Sequence, residues 1–433
     1  FALPHSRLDI VAVGAPGMAF RTAIGRFVGL VLLSAYLAAY SFFRATDFIE
    51  VWAMEGALPL LTSAVAAACL VRLLGSNLGF PLAAAAIAYY IDSVALKPLD
   101  EAMVLRSGSV VLVTGANSGV GLAAASALAQ LGASIMVLGC RSAGKCAAAA
   151  AEVRAGAPSS VLVIPLLLDV ASSSSIRVFA SAAAAALPAK LEGDFVLVNN
   201  AGFVSNVDTP PTADGLEGAM GAMHVGHFYL THRLLASEGL RARAARVRVV
   251  NVASLAHHMC GFSLLARELG VPDEHAPLCL SAKMLSDRPL PPTQPTEPYA
   301  ESKLSNVLHA LELPRRMGAE EGLLGVEAIA VDLGWVETSI APFMRTDISF
   351  ASLRIIRGVA VGVRPILLAA LGMPGSPAAQ PGVGRVISPL GNEEPPLSIF
   401  STEAQLRELA APLWEMSERI ANEWDASAQS EQH

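Results

Sequence analysis

The sequence predicts an α/β fold, a doubly wound parallel sheet, preceded by an apolar N-terminal region. Three observations carry this. From Ser109 onward, short β-branched runs alternate with alanine-rich stretches. A glycine-rich segment joins the first such run to the helical stretch after it. The first hundred residues contain long uncharged runs of a different character.

Val110–Val113, Ser134–Leu138, Val161–Ile164, Phe195–Val198, Val247–Val252 and Val326–Val331 read as strands. Alanine-rich segments between them read as helices, because alanine has the highest helix propensity. Repeated β-α order implies a parallel sheet covered on both faces. The alanine runs at 147–151 and 182–186 are expected on surface helix turns. The proline-rich segment 291–298 reads as a loop, and the tail from Ser427 as polar and frayed.

Residues 1–104 form a separate region. Segments 27–43, 56–71 and 73–91 carry no charge and are bordered by Arg26, Arg44, Arg72 and Asp92. A spanning helix needs about 20 mostly apolar residues, with about 17 as the lower limit. Two or three transmembrane helices are expected, the alternative being buried helices of a soluble domain. Arginines lie on both sides of the segments, so orientation is left open. Residues 105–426 then form the α/β domain and 427–433 the tail.

Composition agrees with a lipid-associated protein. Hydrophobic residues make up 53% of the 433 and charged residues 15%, where about 25% is usual for soluble proteins. A net charge of −7 carries no basic footprint for nucleic acid. The five cysteines have no CxxC spacing, which argues against a disulfide framework and a zinc site and for a reducing compartment. His224, His227, His257 and His258 lack metal-ligand spacing, so no metal is expected.

Val110–Val113 leads into Thr114-Gly115-Ala116-Asn117-Ser118-Gly119-Val120-Gly121, followed by a helical run. Strand, glycine turn and helix together make a Rossmann-type dinucleotide site. The glycines let the backbone approach a pyrophosphate, and the helix N-terminus offers free N–H groups. An acid at the end of the second strand binds the ribose 2′-hydroxyl of NAD. Here Cys140-Arg141 stands there with Lys145 beyond, and two cations suit the 2′-phosphate of NADP(H). Asp169 and Val170, after the third strand, are placed to meet the adenine.

Tyr299 and Lys303 fall at i and i+4 of a helix and share a face. An ammonium near a phenol, whose ordinary pKa is about 10, favours the phenolate. Such a tyrosine can exchange a proton with a substrate oxygen that a serine hydroxyl also holds.

With TGANSGVG at 114–121, Asn199-Asn200-Ala201-Gly202, Ser254 and Tyr299-Ala300-Glu301-Ser302-Lys303 in this order, the chain resembles the short-chain dehydrogenase/reductase family from Ser107 to Trp424. The resemblance implies Ser254, Tyr299 and Lys303 as catalytic residues. It implies Gly115, Asn117, Ser118, Gly119, Val120, Gly121, Arg141, Asp169, Val170, Asn199, Ala201, Gly202, Tyr299, Lys303 and Thr338 as cofactor contacts. Cys140-Arg141-Ser142, Thr212–Gly215, His224–Phe228 and Leu413–Ser417 are similar to the branch that holds retinol dehydrogenases, the WW-domain oxidoreductase and protochlorophyllide reductase. That branch implies NADP(H), a hydrophobic alcohol, aldehyde or ketone as substrate, and a membrane, with the catalytic domain facing cytosol, stroma or matrix.

Three positions depart from the family pattern. Met223 stands where the family has the asparagine of the proton relay. Leu333 stands where it has a proline after the sixth strand. An insert near 256–297 lengthens the path from Ser254 to Tyr299 and is expected to shape the pocket mouth. These departures keep alternatives open: a weakly active or inactive NADP-binding membrane scaffold, or a protochlorophyllide reductase-like enzyme. Segment 348–371, apolar with Arg354, Arg357 and Arg364, reads either as a membrane-surface helix or as a core-covering one. Direction of hydride transfer and oligomeric state are not fixed by these residues.

Overall fold

The computed structural model describes residues 103–204, 209–258, 297–318, 325–334, 336, 358–372, 385–387, 393–394 and 403–430. The apolar segments 27–43, 56–71 and 73–91, most of the insert and Thr338 lie outside them. Among the described residues, no helix is long and apolar enough to cross a membrane.

The expected alternation is present. β1 (Val110–Thr114), α1 (Gly119–Gln130), β2 (Ile135–Cys140), α2 (Ala143–Gly156), β3 (Leu162–Leu167), α3 (Ser173–Ala186) and β4 (Asp194–Asn199) follow in order. Next comes a helical run, α4, built of Gly218–Met220, a π turn Gly221–Val225, Gly226–His232 and a second π turn Arg233–Ser237. β5 (Arg246–Val252), α5 (Glu297–Arg316), β6 (Val326–Val331), α6 (Arg364–Leu371), β7 (Arg385–Ile387), β8 (Glu393–Glu394) and α7 (Glu403–Ser430) follow, with short helical turns at Leu240–Arg243 before β5 and at Leu255–His258 and Val359–Gly362 between the later elements.

The strands lie in the order β3-β2-β1-β4-β5-β6-β7-β8. β1 to β7 are parallel and β8 is antiparallel to β7. The order reverses between β1 and β4, and that switch point opens a crevice at the strands' carboxyl ends. Central strands are hydrophobic on both sides, as a doubly covered sheet requires: β1 and β4 are buried throughout.

Three details differ from the sequence reading. The alanine runs are not confined to the surface: Ala149, Ala150, Ala183 and Ala184 are buried against the sheet, because a methyl group lets helix and strand backbones approach closely. α7 carries on helically through Ser430, its far end tied down where Tyr229 and Arg233 reach Asp425 and Arg177 donates to the Trp424 carbonyl. Of segment 348–371, the described part covers the core, with Ile366–Ala370 of α6 buried.

Candidate active site

The glycine turn after β1 is shaped by sterics. Gly115 and Gly119 have φ of 65° and 55°, where L side chains are strained. A Cβ on Gly121 would lie 2.4 Å from both the Gly115 carbonyl oxygen and Asn200 Nδ2. The chain therefore folds tightly and α1 begins at the crevice. Ser118 caps α1 without a side-chain hydrogen bond, and the first turn carries no acid. Its N–H groups are left for a ligand, and the helix dipole favours an anion there. They open into a cleft of about 640 Å³ lined by Gly115, Asn117–Gly121, Arg141, Asp169, Val170 and Asn200–Gly202, among others. A dinucleotide with its pyrophosphate at α1 suits this donor set, and Arg141 is the cation on the cleft's lining.

The Asn-Asn-Ala-Gly turn is fastened to β1. Asn200 N–H and Ala201 N–H donate to Thr114 Oγ1 at 2.9 and 2.8 Å, and Asn200 Nδ2 donates to the Thr114 carbonyl at 2.8 Å. His227 stands behind this joint. Its Nδ1 is 2.9 Å from the Met223 carbonyl, which can only accept. Nδ1 therefore carries the proton, and Nε2 accepts from Thr114 Oγ1 at 2.9 Å. Asn199 faces away from the cleft: its Nδ2 donates to Asn251 Oδ1 at 2.9 Å and to Thr231 Oγ1 at 3.1 Å. It thus supports the turn and does not line the cleft.

The structure brings the three proposed catalytic side chains together. Ser254 follows β5, while Tyr299 and Lys303 project from the first turns of α5. The Ser254 hydroxyl is within hydrogen-bonding reach of the Tyr299 hydroxyl. Lys303 Nζ donates to the Val252 carbonyl at 3.0 Å and lies 5.6 Å from the centre of the Tyr299 ring. It also stands beside Gly202, on which a Cβ would be 3.4 Å from Nζ, so the trio meets the cofactor cleft at the Asn-Ala-Gly turn.

Electrostatics differ from the simple expectation. Burial pulls Lys303 down to about 8. Burial pushes Tyr299 above the usual phenol value, the Ser254 hydrogen bond opposes this, and Asp332 adds to it. The protein alone thus holds Tyr299 as the neutral phenol: desolvation outweighs the hydrogen bond from Ser254.

The departures from the family pattern have a visible setting. Met223 is fully buried in the first π turn of α4. Its sulfur is 3.5 Å from the Phe203 N–H and 3.2 Å from where a Cβ of Gly202 would be. Leu333 is buried among core residues, and Gly334 N–H, at a φ of 67°, donates to Asp332 Oδ1.

Some supporting residues are absent from the sequence reading. Asn306 Nδ2 donates to the Val252 carbonyl at 3.2 Å, beside Lys303. Asn251 Nδ2 donates to the Asn306 carbonyl and to His309 Nδ1, each at 3.1 Å. The signal was a run of polar residues on one side of the helix, Lys303, Asn306 and His309 at i, i+3 and i+6 with Ser302 and Ser305 beside them, all buried. The cysteine reading also needs correction: Cys140 and Cys146 are joined in a disulfide. Their spacing matches no short motif, yet a strand end and the next helix's first turn bring their Cα atoms to 5.5 Å. Among the described residues, no group of three His, Cys, Asp or Glu is placed to hold a metal.

Sequence comparison agrees with this geometry. The short chain dehydrogenase family profile matches residues 109–266. Human retinol dehydrogenase 11 is 36% identical over 241 residues, 55% of this chain and 65% of that protein. Bovine retinol dehydrogenase 12 is 31% identical over 60% of this chain and 76% of its own length. Human dehydrogenase/reductase SDR family member 13 is 32% identical over 81% of each. A solved structure, the Pseudomonas aeruginosa RhlG/NADP active-site complex, aligns with a TM-score of 0.47 at 21% identity, over 67% of this chain and 97% of that one. The chain belongs to the short-chain dehydrogenase/reductase family, a family of NAD(P)-dependent oxidoreductases.

Proposed function

We propose that the chain is a membrane-anchored, NADP(H)-dependent oxidoreductase that interconverts a lipophilic alcohol and its aldehyde or ketone. The carrying observation is the meeting of Ser254, Tyr299 and Lys303 at the end of the dinucleotide cleft. A bound nicotinamide supplies or receives the hydride. Tyr299 Oη, held as the neutral phenol, gives its proton to the carbonyl oxygen in the reductive direction. Ser254 Oγ holds that same oxygen by a hydrogen bond. Lys303, anchored on the Val252 carbonyl, presents its charge beside the tyrosine and the nicotinamide ribose. Gly115, Asn117, Ser118, Gly119, Val120 and Gly121 seat the pyrophosphate, Arg141 takes the 2′-phosphate, and Asp169 and Val170 border the adenine. Thr338 is assigned to the carboxamide by its motif alone.

Retinol dehydrogenases among the relatives support a hydrophobic substrate. The uncharged segments within residues 1–104 support an anchor, with 105–426 as the catalytic domain. A rival reading keeps the cofactor for structure in a scaffold without turnover, and Met223 in the relay position favours it. The intact trio favours the enzyme.

The test is NADPH oxidation by the full chain in detergent, with retinal and other long-chain aldehydes and ketones. Tyr299→Phe should lower kcat by about 100-fold or more, the usual size of a general acid's contribution, and change NADPH affinity far less, the tyrosine being one cofactor contact among many. NADPH binding without turnover on any carbonyl would move the assignment to the scaffold.

A further inference from the structure

The bridge between Cys140 and Cys146 takes no part in the chemistry above, and its position has consequences. Cys140 ends β2 and Cys146 lies in the first turn of α2. Both are buried, at 1% and 2% exposure. Every residue between them, Arg141 to Lys145, is exposed. Arg141 lines the cofactor cleft, and Lys145 closes the arc. A buried clasp thus holds both ends of an exposed basic arc at the mouth of the cleft.

Beyond the backbone bond from the Cys146 N–H to the Ser142 carbonyl at 2.9 Å, the arc's side chains give it little support. Ser142 caps α2 without a side-chain hydrogen bond, and the first turn contains no acid. A Cβ on Gly144 would meet nothing within 4 Å. An uncapped turn with a glycine in it frays readily. Fraying of this turn also gives a small thiol its path to the buried sulfurs. In a compartment that supplies NADPH, a disulfide is more often a redox sensor than a permanent staple.

We propose that Cys140 and Cys146 form a reversible redox latch on the grip for the cofactor's 2′-phosphate. When oxidised, the bridge fixes Arg141 and Lys145 in place. When reduced, the first turn of α2 loosens and must be re-ordered on binding. This inference rests on the NADP(H) reading above. The oxidant is a small-molecule disulfide, glutathione disulfide. One cysteine thiolate attacks it, forming a mixed disulfide and releasing one glutathione thiolate. The second cysteine thiolate attacks the protein sulfur of the mixed disulfide, closing the bridge and releasing the second. Two electrons pass from the cysteine pair to glutathione disulfide, and the two thiol protons end on the glutathione thiols. Reduction by two glutathione thiols runs the same steps backwards.

The experiment equilibrates the full chain in detergent with glutathione disulfide or with dithiothreitol. Free thiols are alkylated and mapped by mass spectrometry, and NADPH and NADH affinities are titrated by fluorescence. The expected result is a bridge mapped to Cys140 and Cys146. Reduction should raise the Kd for NADPH roughly fivefold, about the cost of re-ordering one backbone residue. The Kd for NADH should stay constant. Cys146→Ser and Cys140→Ser should each bind NADPH like the reduced wild type under both conditions. Alkylation of both thiols after oxidation overturns the latch. So does an NADPH preference equal in both redox states, which leaves the cofactor reading standing. A preference for NADH in both states overturns the cofactor reading and the latch with it.

Discussion

The two faces of the sheet are built differently. On one, α1, α2 and α6 cover the strands with Val111, Val113, Leu138, Val196 and many alanines. Arg248 is a buried charge on that face, and it is fully engaged, pairing with Glu327 at 2.9 Å and donating to the Ala370 carbonyl. On the other, α4, α5 and α7 enclose apolar residues together with His224, His227, His309, Asn199, Asn251, Thr231, Asn306 and Ser417, all buried. Buried polar groups cost stability unless each is hydrogen-bonded. The chain bears that cost where Lys303, Tyr299 and the Asn-Ala-Gly turn need fixed positions. One face is chiefly packing, and the other is packing plus alignment.

The comparison predicts different failures. On the packing face, Leu138→Ala, at a fully buried site, should lower unfolding free energy by about 2–5 kcal/mol. The loss should be equal at pH 7 and pH 5 in denaturant titrations, since no titrating group is touched. A pH-dependent loss would mean that the two faces are coupled.

On the aligning face the prediction is acid sensitivity. Burial holds His227 at about 4 and His309 at about 3, against an ordinary value near 6.5. Both rings are therefore neutral in the folded protein at pH 6. Below pH 6.5 the unfolded chain binds protons that the folded chain refuses, so stability falls as pH falls. Between pH 6.5 and 4 the loss is on the order of 3 kcal/mol for each ring. His309→Phe should remove one ring's share of that acid slope, with buried His224 and His227 keeping theirs, while Asn251 Nδ2 keeps its bond to the Asn306 carbonyl. An unchanged slope in thermal melts across this range would show that the histidines titrate in place without cost.

This division also explains what was legible in the sequence. The packing face is written in local patterns: β-branched runs placed six strands within one or two residues of their observed starts. β3 ran on past its expected end through Pro165, where edge position tolerates a proline. β7 and β8, three and two residues long, are too short to carry a periodicity. The phosphate turn was legible because its glycines are required by sterics between neighbours in sequence. The polar network was not, because its partners are distant: Thr114 with His227, Asn251 with His309, His224 with Ser417. Only folding shows which lone histidine meets which hydroxyl. The disulfide escaped for a different reason: its partners are six residues apart, and that spacing becomes meaningful only once a strand ends and a helix begins between them.

The smallest expected effect tests the point where alignment and chemistry meet. Met223 sits between the Phe203 N–H and the space beside Lys303. A thioether is a weak acceptor and donates nothing. An amide oxygen there is a stronger acceptor, and a bond accepted from the Lys303 ammonium would steady the lysine in its charged form. Met223→Asn should therefore raise kcat roughly severalfold, a small part of the 10²–10⁴ available to acid–base catalysis, with NADPH affinity constant. The gain should be largest above pH 8, where Lys303, held at about 8 by burial, has lost its proton in the wild type and the added acceptor draws its pKa upward. A kcat–pH profile identical in the two proteins would place proton delivery elsewhere and make the methionine a packing residue alone.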